Sequence, residues 1–208
     1  MNTAAVVVIL LFFVSIVSSV QGPGGVSSHQ KVAPEVIAAQ YNDQSFGKVP
    51  GAGYDALDAE EPQLRIYNFI MSYGKGVDQE DAKTMSRCIM KSCKNYDMNP
   101  FIITSLIARE SRFNKRATSG SGARGLGQLL DSTAGGLHIT DPYDIEQNID
   151  GTTRYFKSLV NRWPQNEQQV PLALGCYVEG INAIRDHGRM SGEASQYAKD
   201  IIATYWKI

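Results

Sequence analysis

The sequence predicts a mainly α-helical protein, and three observations support this prediction. From residue 62 onward, apolar residues recur at spacings of three and four, which is the periodicity of amphipathic helices. Helix-start signals precede several of these segments, as at Asn99-Pro100, where Asn is a good N-cap and Pro suits the first helical position. No alternating pattern of useful strand length and no internal repeat occurs. We therefore expect a compact helical domain.

The composition is that of an ordinary soluble globular protein. The chain has 208 residues, of which 43% are hydrophobic and 20% charged, and its net charge is −1. This length allows one good-sized domain with extensions, and the near-zero charge gives no general case for nucleic-acid binding. Residues 55–81 are mostly acidic, whereas residues 83–124 are mostly basic. The basic stretch favours an anionic polymer as substrate, and a solvated basic surface is the alternative.

The N-terminal region is predicted to direct the protein out of the cytoplasm. Residues 4–20 are apolar or small and carry no charge, and Ser18-Ser19 offers a cleavage point. We interpret residues 1–21 as an export signal peptide, with an uncleaved N-terminal membrane anchor as the alternative. Both interpretations place the protein in the periplasm or at the cell envelope. Membrane contact is expected only through residues 4–20, if they are uncleaved.

The rest of the chain is divided into two parts. Residues 22–77 are predicted to hold a flexible tether, rich in Gly, Ser and Pro at its start, and an accessory helix from Glu61-Pro62 through Tyr73. Residues 78–208 form the predicted main domain. Its first two predicted helices run from Asp78 to about Asn95 and from Asn99 onward. A third begins within Gly125–Leu130 and ends near Gly135-Gly136, and a fourth covers Ile149–Arg162 after an Asp144 cap. The last two begin at Pro171 and after a Ser191 cap, and the final helix carries Tyr197, Ile201, Ile202 and Tyr205.

Cysteine and histidine give no metal-binding pattern. Cys88 and Cys93 lie five positions apart in a predicted helix, which is too far for easy disulfide geometry. Either one of them bridges to Cys176, or all three are buried free thiols. The three histidines are widely separated and match no ligand spacing with the cysteines. We predict neither a metal site nor a cofactor.

One carboxylate stands out as a candidate catalytic group. Glu110 follows Ile103, Leu106 and Ile107 at helical spacing, so it lies on the apolar face of its helix. Burial disfavours the ionised form of a carboxyl group and raises its pKa, as a general acid requires. A structural ion pair with Arg109 or Arg112 is the alternative from this helix alone.

Four stretches carry a resemblance to a known family. They are Glu110-Ser111 within IARESRFN, the segment SGARGLGQ over residues 121–128, the segment from Asn148-Ile149 through Gly151, Tyr155 and Leu159, and ALGCYVEG over residues 173–180. In this order and spacing, from about Asp78 to Trp206, they resemble the Slt-type lytic transglycosylases. The resemblance implies a lysozyme-like helical domain of the goose-type lysozyme and SLT class.

The resemblance also implies a reaction. The substrate would be the glycan strands of peptidoglycan, cleaved at the β-1,4 bond between N-acetylmuramic acid and N-acetylglucosamine with formation of a 1,6-anhydro end. Glu110 would act first as the acid and then as the base. The resemblance implies that Tyr177 hydrogen-bonds and orients Glu110, that Gln128 binds sugar groups, and that Ser111 supports the loop or binds substrate. The structural alternatives are a core Tyr177, a capping Gln128 and a Ser111 with local backbone bonds only.

Two residues depart from the family pattern. Gly127 stands where Met is usual, which predicts a wider sugar subsite, and Val178 replaces a polar residue after Tyr177. A lysozyme-type muramidase of the same fold is one alternative, and it would need a second carboxylate from Asp131, Asp141 or Asp144. A non-catalytic wall-binding scaffold is the other. A secretion, conjugation or phage-entry assembly is a possible larger partner of such a wall-opening protein.

Overall fold

The computed structural model describes residues 31–38, 46, 48, 50–54, 61–164 and 166–208. The predicted signal peptide or anchor and the first part of the predicted tether therefore lie outside the described residues. Within these ranges, no helix combines the length and the apolar character needed to cross a membrane. Residues Lys31–Ile208 belong to one compact unit.

The described residues are mainly helical, as predicted. In chain order the helices are α1 Pro34–Ala38, α2 Pro62–Tyr73, α3 Gln79–Tyr96, α4 Pro100–Ser111, α5 Asp131–Gly136, α6 Ile145–Val160, α7 Gln169–Glu179, α8 Ile181–His187 and α9 Gly192–Tyr205. Strand-like pairing in the described ranges consists of two isolated antiparallel bridges, Thr118 with Arg124 and Arg124 with Leu129.

The central element is α4. Its first nine residues, Pro100 to Ala108, are all buried, so this helix is enclosed by neighbours on every side rather than amphipathic. The Asn99 side chain caps it by accepting a hydrogen bond from the backbone N–H of Phe101 at 3.0 Å. Only the last turn reaches the surface, and that turn carries Glu110.

Two other helices, α7 and α9, contribute residues near this last turn. Helix α9 packs against both α4 and α7, and α7 also packs against α6, while α3 packs against α2 and α6. As a result, α4, α7 and α9 bring Glu110, Tyr177 and Tyr197 together from distant parts of the sequence.

Some described residues before the predicted boundary at residue 78 pack against the main domain. Ile37 and Ile66 are fully buried in the same core as α4. The backbone of residues 50–54 is also tied to the main domain, since Ala52 O accepts from Asn99 N at 2.7 Å and Tyr54 N donates to Asp97 Oδ1 at 3.0 Å. Described residues of the segment 22–77 therefore contribute to the same core as α4, and the division at residue 78 stays a prediction.

Two helix predictions need correction. Gly125–Leu130 forms a turn rather than the start of a helix, because Gly125 and Gln128 have φ values of +75° and +50°, which a right-handed helix does not allow. Helix α5 begins only at Asp131. Helix α8 was not predicted; it is short and follows directly on Gly180, which ends α7.

The three cysteines are free and buried, which agrees with the second of the two predicted alternatives. Burial raises the pKa of the Cys176 thiol to about 12 and the pKa of Cys93 further still. These thiols stay protonated at neutral pH and behave as small apolar core residues.

Candidate active site

Glu110 is a partly buried carboxyl group held by a tyrosine. It lies in the last turn of α4, and its Oε1 accepts a hydrogen bond from the hydroxyl of Tyr197 on α9. Loss of water raises the pKa of Glu110, while the Tyr197 hydrogen bond and the charge of Arg109 partly oppose this rise. The net effect is a raised pKa, so more of the carboxyl remains protonated toward neutral pH than in water.

Tyr197 is suited to be a permanent hydrogen-bond donor. Burial, followed by the charge of Glu110, raises the pKa of Tyr197 well above its ordinary value. Its hydroxyl therefore keeps its proton and can stabilise the ionised carboxylate. The guanidinium of Arg109 lies over the Tyr197 ring, 5.3 Å from its centre.

Tyr177 has a different partner from the one predicted. The resemblance implied a hydrogen bond to Glu110, but the Tyr177 hydroxyl donates to Gly127 O at 2.6 Å. Tyr177 is still near Glu110, because the charge of that carboxylate adds to the effect of burial in raising the pKa of Tyr177. Tyr177 therefore holds the turn at Gly127, and Tyr197 makes the contact with Glu110 that was expected of Tyr177.

Gly127 permits a close approach between this turn and α6. A Cβ atom added at Gly127 would overlap the side chain of Thr152. The Gly127 N–H donates to Asn148 Oδ1 at 2.8 Å, which fixes the same approach by a hydrogen bond. Gly127 is buried and Thr152 occupies the space beside it, while a wider or looser sugar subsite stays a prediction.

Asn148, near the start of α6, is a buried residue that contacts the loop following α4. It is 0% exposed. Besides its contact with Gly127, its Nδ2 donates hydrogen bonds to Pro142 O at 2.8 Å and to Arg124 O at 3.2 Å. Both amide protons and the amide oxygen are thus in use, so the side chain joins Arg124 and Gly127 of this loop, and Pro142 of the segment before α6, to α6. This accounts for the match of Asn148 to the family pattern in structural terms.

Gln128 and Ser111 use their donors within the protein. Gln128 Nε2 donates to Gly125 O at 3.0 Å and to Ala117 O at 3.2 Å. Ser111 Oγ donates to Ile107 O at 3.3 Å, one turn earlier in α4. These contacts support the loop and the helix end, so binding of substrate by either side chain stays a prediction.

Two cations of the basic stretch 83–124 that lie in the loop after α4 form ion pairs. Lys115 Nζ lies 2.6 Å from Asp81 Oδ2, and Arg124 forms an ion pair with Asp131. Val178, the second departure from the family pattern, is 50% exposed at the end of α7. Sequence reasoning missed the role of Tyr197, because its spacing with Ile201 and Ile202 indicates burial but does not reveal a contact with Glu110.

Known proteins share this arrangement of sequence and fold. The transglycosylase SLT domain family matches residues 87–199, a range that contains Glu110, Tyr177 and Tyr197. Membrane-bound lytic murein transglycosylase F of Cronobacter sakazakii is 34% identical over 145 residues, covering 64% of this chain and 28% of that protein. The chain therefore spans less than a third of the length of this curated relative.

A solved structure agrees in fold. The lytic transglycosylase Slt of Pseudomonas aeruginosa, in an inactive mutant, has a TM-score of 0.51 and 18% identity, covering 85% of this chain and 37% of that one. At this identity the likeness concerns the fold alone, and it confirms the predicted lysozyme-like helical class. Since the family match covers more than half of the chain, the protein belongs to the transglycosylase SLT domain family.

Proposed function

We propose that this protein is a peptidoglycan lytic transglycosylase. It cleaves the β-1,4 bond between N-acetylmuramic acid and N-acetylglucosamine and leaves a 1,6-anhydro end. The observation that carries the proposal is Glu110, a carboxyl with a raised pKa held by the Tyr197 hydroxyl at the surface end of a buried helix. Membership of the SLT family supports the same substrate.

In the first step Glu110 is the general acid. Its proton passes to the glycosidic oxygen, the bond from that oxygen to C1 of the muramyl sugar breaks, and the N-acetylglucosamine side leaves with a free hydroxyl. The carbonyl oxygen of the substrate's own N-acetyl group stabilises the positive charge that develops at C1. Tyr197 donates a hydrogen bond to the carboxylate that this step creates.

In the second step the same carboxylate is the base. It takes the proton of the muramyl C6 hydroxyl while O6 forms a bond to C1, which closes the anhydro ring. Glu110 is again protonated and no water is consumed. One carboxylate therefore serves both steps, where the usual glycosidase uses two.

The partners of the candidate second carboxylates favour this route over hydrolysis. Asp131 pairs with Arg124, Asp141 accepts from Tyr143 N at 2.8 Å, and Asp144 caps α6 by accepting from Gln147 N at 2.8 Å. Each candidate second carboxylate thus has a structural partner. Within the described residues, no other carboxylate contributes to the pKa of Glu110.

We propose that the protein acts in the periplasm or at the cell envelope, where its substrate lies. The curated relative named membrane-bound lytic murein transglycosylase F supports this location. Association with a secretion, conjugation or phage-entry assembly remains a prediction. Ser111, Gln128 and Tyr177 are proposed to contribute to the substrate cleft through the loop contacts described above.

The proposal is tested by lysis and binding of purified peptidoglycan. Glu110→Gln keeps the shape and hydrogen-bonding capacity of the side chain but removes its proton transfer, so lysis should be lost while binding and folding are kept. Glu80→Gln is the matched control, because Glu80 is an exposed glutamate paired only with Lys83. Equal lysis by the wild type and Glu110→Gln would remove Glu110 from the reaction, and lysis absent from both would favour a wall-binding scaffold.

A further inference from the structure

Arg109 is an exposed cation that lies next to the candidate acid in the sequence and over the ring of Tyr197. It precedes Glu110 in the last turn of α4, and its guanidinium lies 5.3 Å from the centre of the Tyr197 ring. Tyr197 is the same residue that donates its hydroxyl to Glu110. One buried tyrosine therefore contacts the cation through its ring and the acid through its hydroxyl.

We propose that Arg109 is a positioning residue that sets the pH range over which Glu110 works, by holding a positive charge in a fixed place on Tyr197 beside the carboxyl. This inference rests on the proposed function, because the acid and base roles of Glu110 are its premise. It adds a residue that the family resemblance did not bring into the site.

The charges around Glu110 make Arg109 distinctive. The titratable groups that interact with Glu110 are Arg109 on α4, Tyr197 on α9 and Tyr177 on α7. Both tyrosines are neutral phenols with raised pKa values. Among the described residues, Arg109 is the one cation that acts on the pKa of Glu110. The cations Lys115 and Arg124 are paired with Asp81 and Asp131 instead.

The two-step reaction requires Glu110 to be ionised between the steps, and the positive charge of Arg109 favours that state. Burial alone favours the protonated acid, which suits the first step but opposes the ionised state that the second step requires. A nearby cation stabilises the carboxylate between the two steps. An unrestrained surface arginine would be screened by water and salt, whereas stacking on the Tyr197 ring keeps this guanidinium close.

Arginine suits this position better than lysine. Its flat, delocalised guanidinium stacks on an aromatic face, whereas a lysine ammonium is a strongly hydrated point charge on a flexible stem. Arg109→Lys should therefore retain part of the effect, because charge is kept but the stacking contact is weaker. Arg109→Gln should lose all of it. Arg116→Gln is the matched control, since Arg116 is an exposed arginine in the following loop that has no contact with Tyr197 in the described structure.

The direct test is an NMR titration of the glutamate carboxyl carbons in the full chain, with the Glu110 signal identified by its loss in Glu110→Gln. In Arg109→Gln the pKa of Glu110 should rise by about half a pH unit, the size expected for one charge several ångströms away under solvent-like screening. Arg109→Lys should give a smaller rise, and Arg116→Gln should give none. An unchanged Glu110 titration in Arg109→Gln would overturn the inference.

The pH dependence of lysis provides the second readout. The rate falls as Glu110 loses its proton, so the alkaline limb of kcat/KM should move to higher pH in Arg109→Gln by the same interval. A change in KM with an unmoved alkaline limb would indicate a substrate contact and overturn the inference. If the wild type lyses no peptidoglycan but the pKa of Glu110 rises in Arg109→Gln as expected, the proposed function fails while the charge effect of Arg109 stands.

Discussion

The hydroxyl of Tyr197 donates a hydrogen bond to Glu110 Oε1, joining two residues that are 87 positions apart in the sequence. This contact decides the orientation of the candidate acid and lowers its pKa against the larger effect of burial. Helices α4 and α9 pack directly against each other, so the contact belongs to the core architecture of the domain.

The Tyr197 contact leads to a prediction about rate. Tyr197→Phe removes the donor while keeping the ring, so the carboxylate formed in the first step loses its stabilising partner. We expect kcat to fall by about 10- to 100-fold, the factor that corresponds to roughly 1.4–2.7 kcal/mol in the transition state. Initial rates on purified peptidoglycan provide the measurement, and Tyr73→Phe, at a partly exposed tyrosine on α2, is the control. Unaltered kinetics in Tyr197→Phe would show that this hydrogen bond has no catalytic role.

The packing of Gly127 leads to a prediction about stability. Gly127→Ala introduces a Cβ atom that overlaps Thr152, so we expect the free energy of unfolding to fall by about 1–3 kcal/mol. In a Thr152→Ala background the same substitution should cost less, because part of the overlapping side chain has been removed. Denaturant unfolding of the four proteins in this double-mutant cycle measures the coupling. Strictly additive effects would mean that the two residues do not compete for this space.

The raised pKa of Glu110 leads to a prediction about stability and pH. As pH rises, the unfolded carboxyl loses its proton first, so the folded state becomes less stable between the unfolded and the folded pKa. Glu110→Gln removes this penalty. The variant should therefore gain stability relative to the wild type as pH rises from 4 toward neutrality. Urea unfolding across this range measures the difference, and a variant that loses relative stability as pH rises would contradict the sign of the shift.

The cysteines lead to a prediction about redox conditions. Because Cys88, Cys93 and Cys176 are buried free thiols, a reducing agent should leave the melting temperature unchanged. A thiol-specific reagent should react slowly with the native protein. After denaturation, it should react with all three thiols. Only one reactive thiol in the denatured, unreduced protein would instead indicate a disulfide.

Much of the fold could be predicted because local signals agree with the tertiary structure. Asp78, Asn99, Asp144 and Ser191 were predicted to start helices, and each side chain accepts a capping hydrogen bond from the helix that follows it. The turn at Gly125–Leu130 was misread as a helix start, because the positive φ values of Gly125 and Gln128 depend on contacts with distant residues such as Asn148.

The candidate site was predictable in part for the same reason. Glu110 could be found from the apolar periodicity around it, which is a local property of one helix. The partner of Tyr177 and the role of Tyr197 depend on how α7 and α9 pack beside α4, and no local pattern encodes that choice. The close contact between Gly127 and Thr152 is likewise visible only once the turn and α6 are placed together.

The most direct test of the central claim is mass analysis of the fragments released from purified peptidoglycan. A transglycosylase closes the muramyl C6 hydroxyl onto C1, so its fragments carry anhydro ends that are one water lighter than hydrolysed ends. We predict anhydro ends from the wild type and no fragments from Glu110→Gln. Hydrolysed ends alone from the wild type would contradict the account and indicate a muramidase.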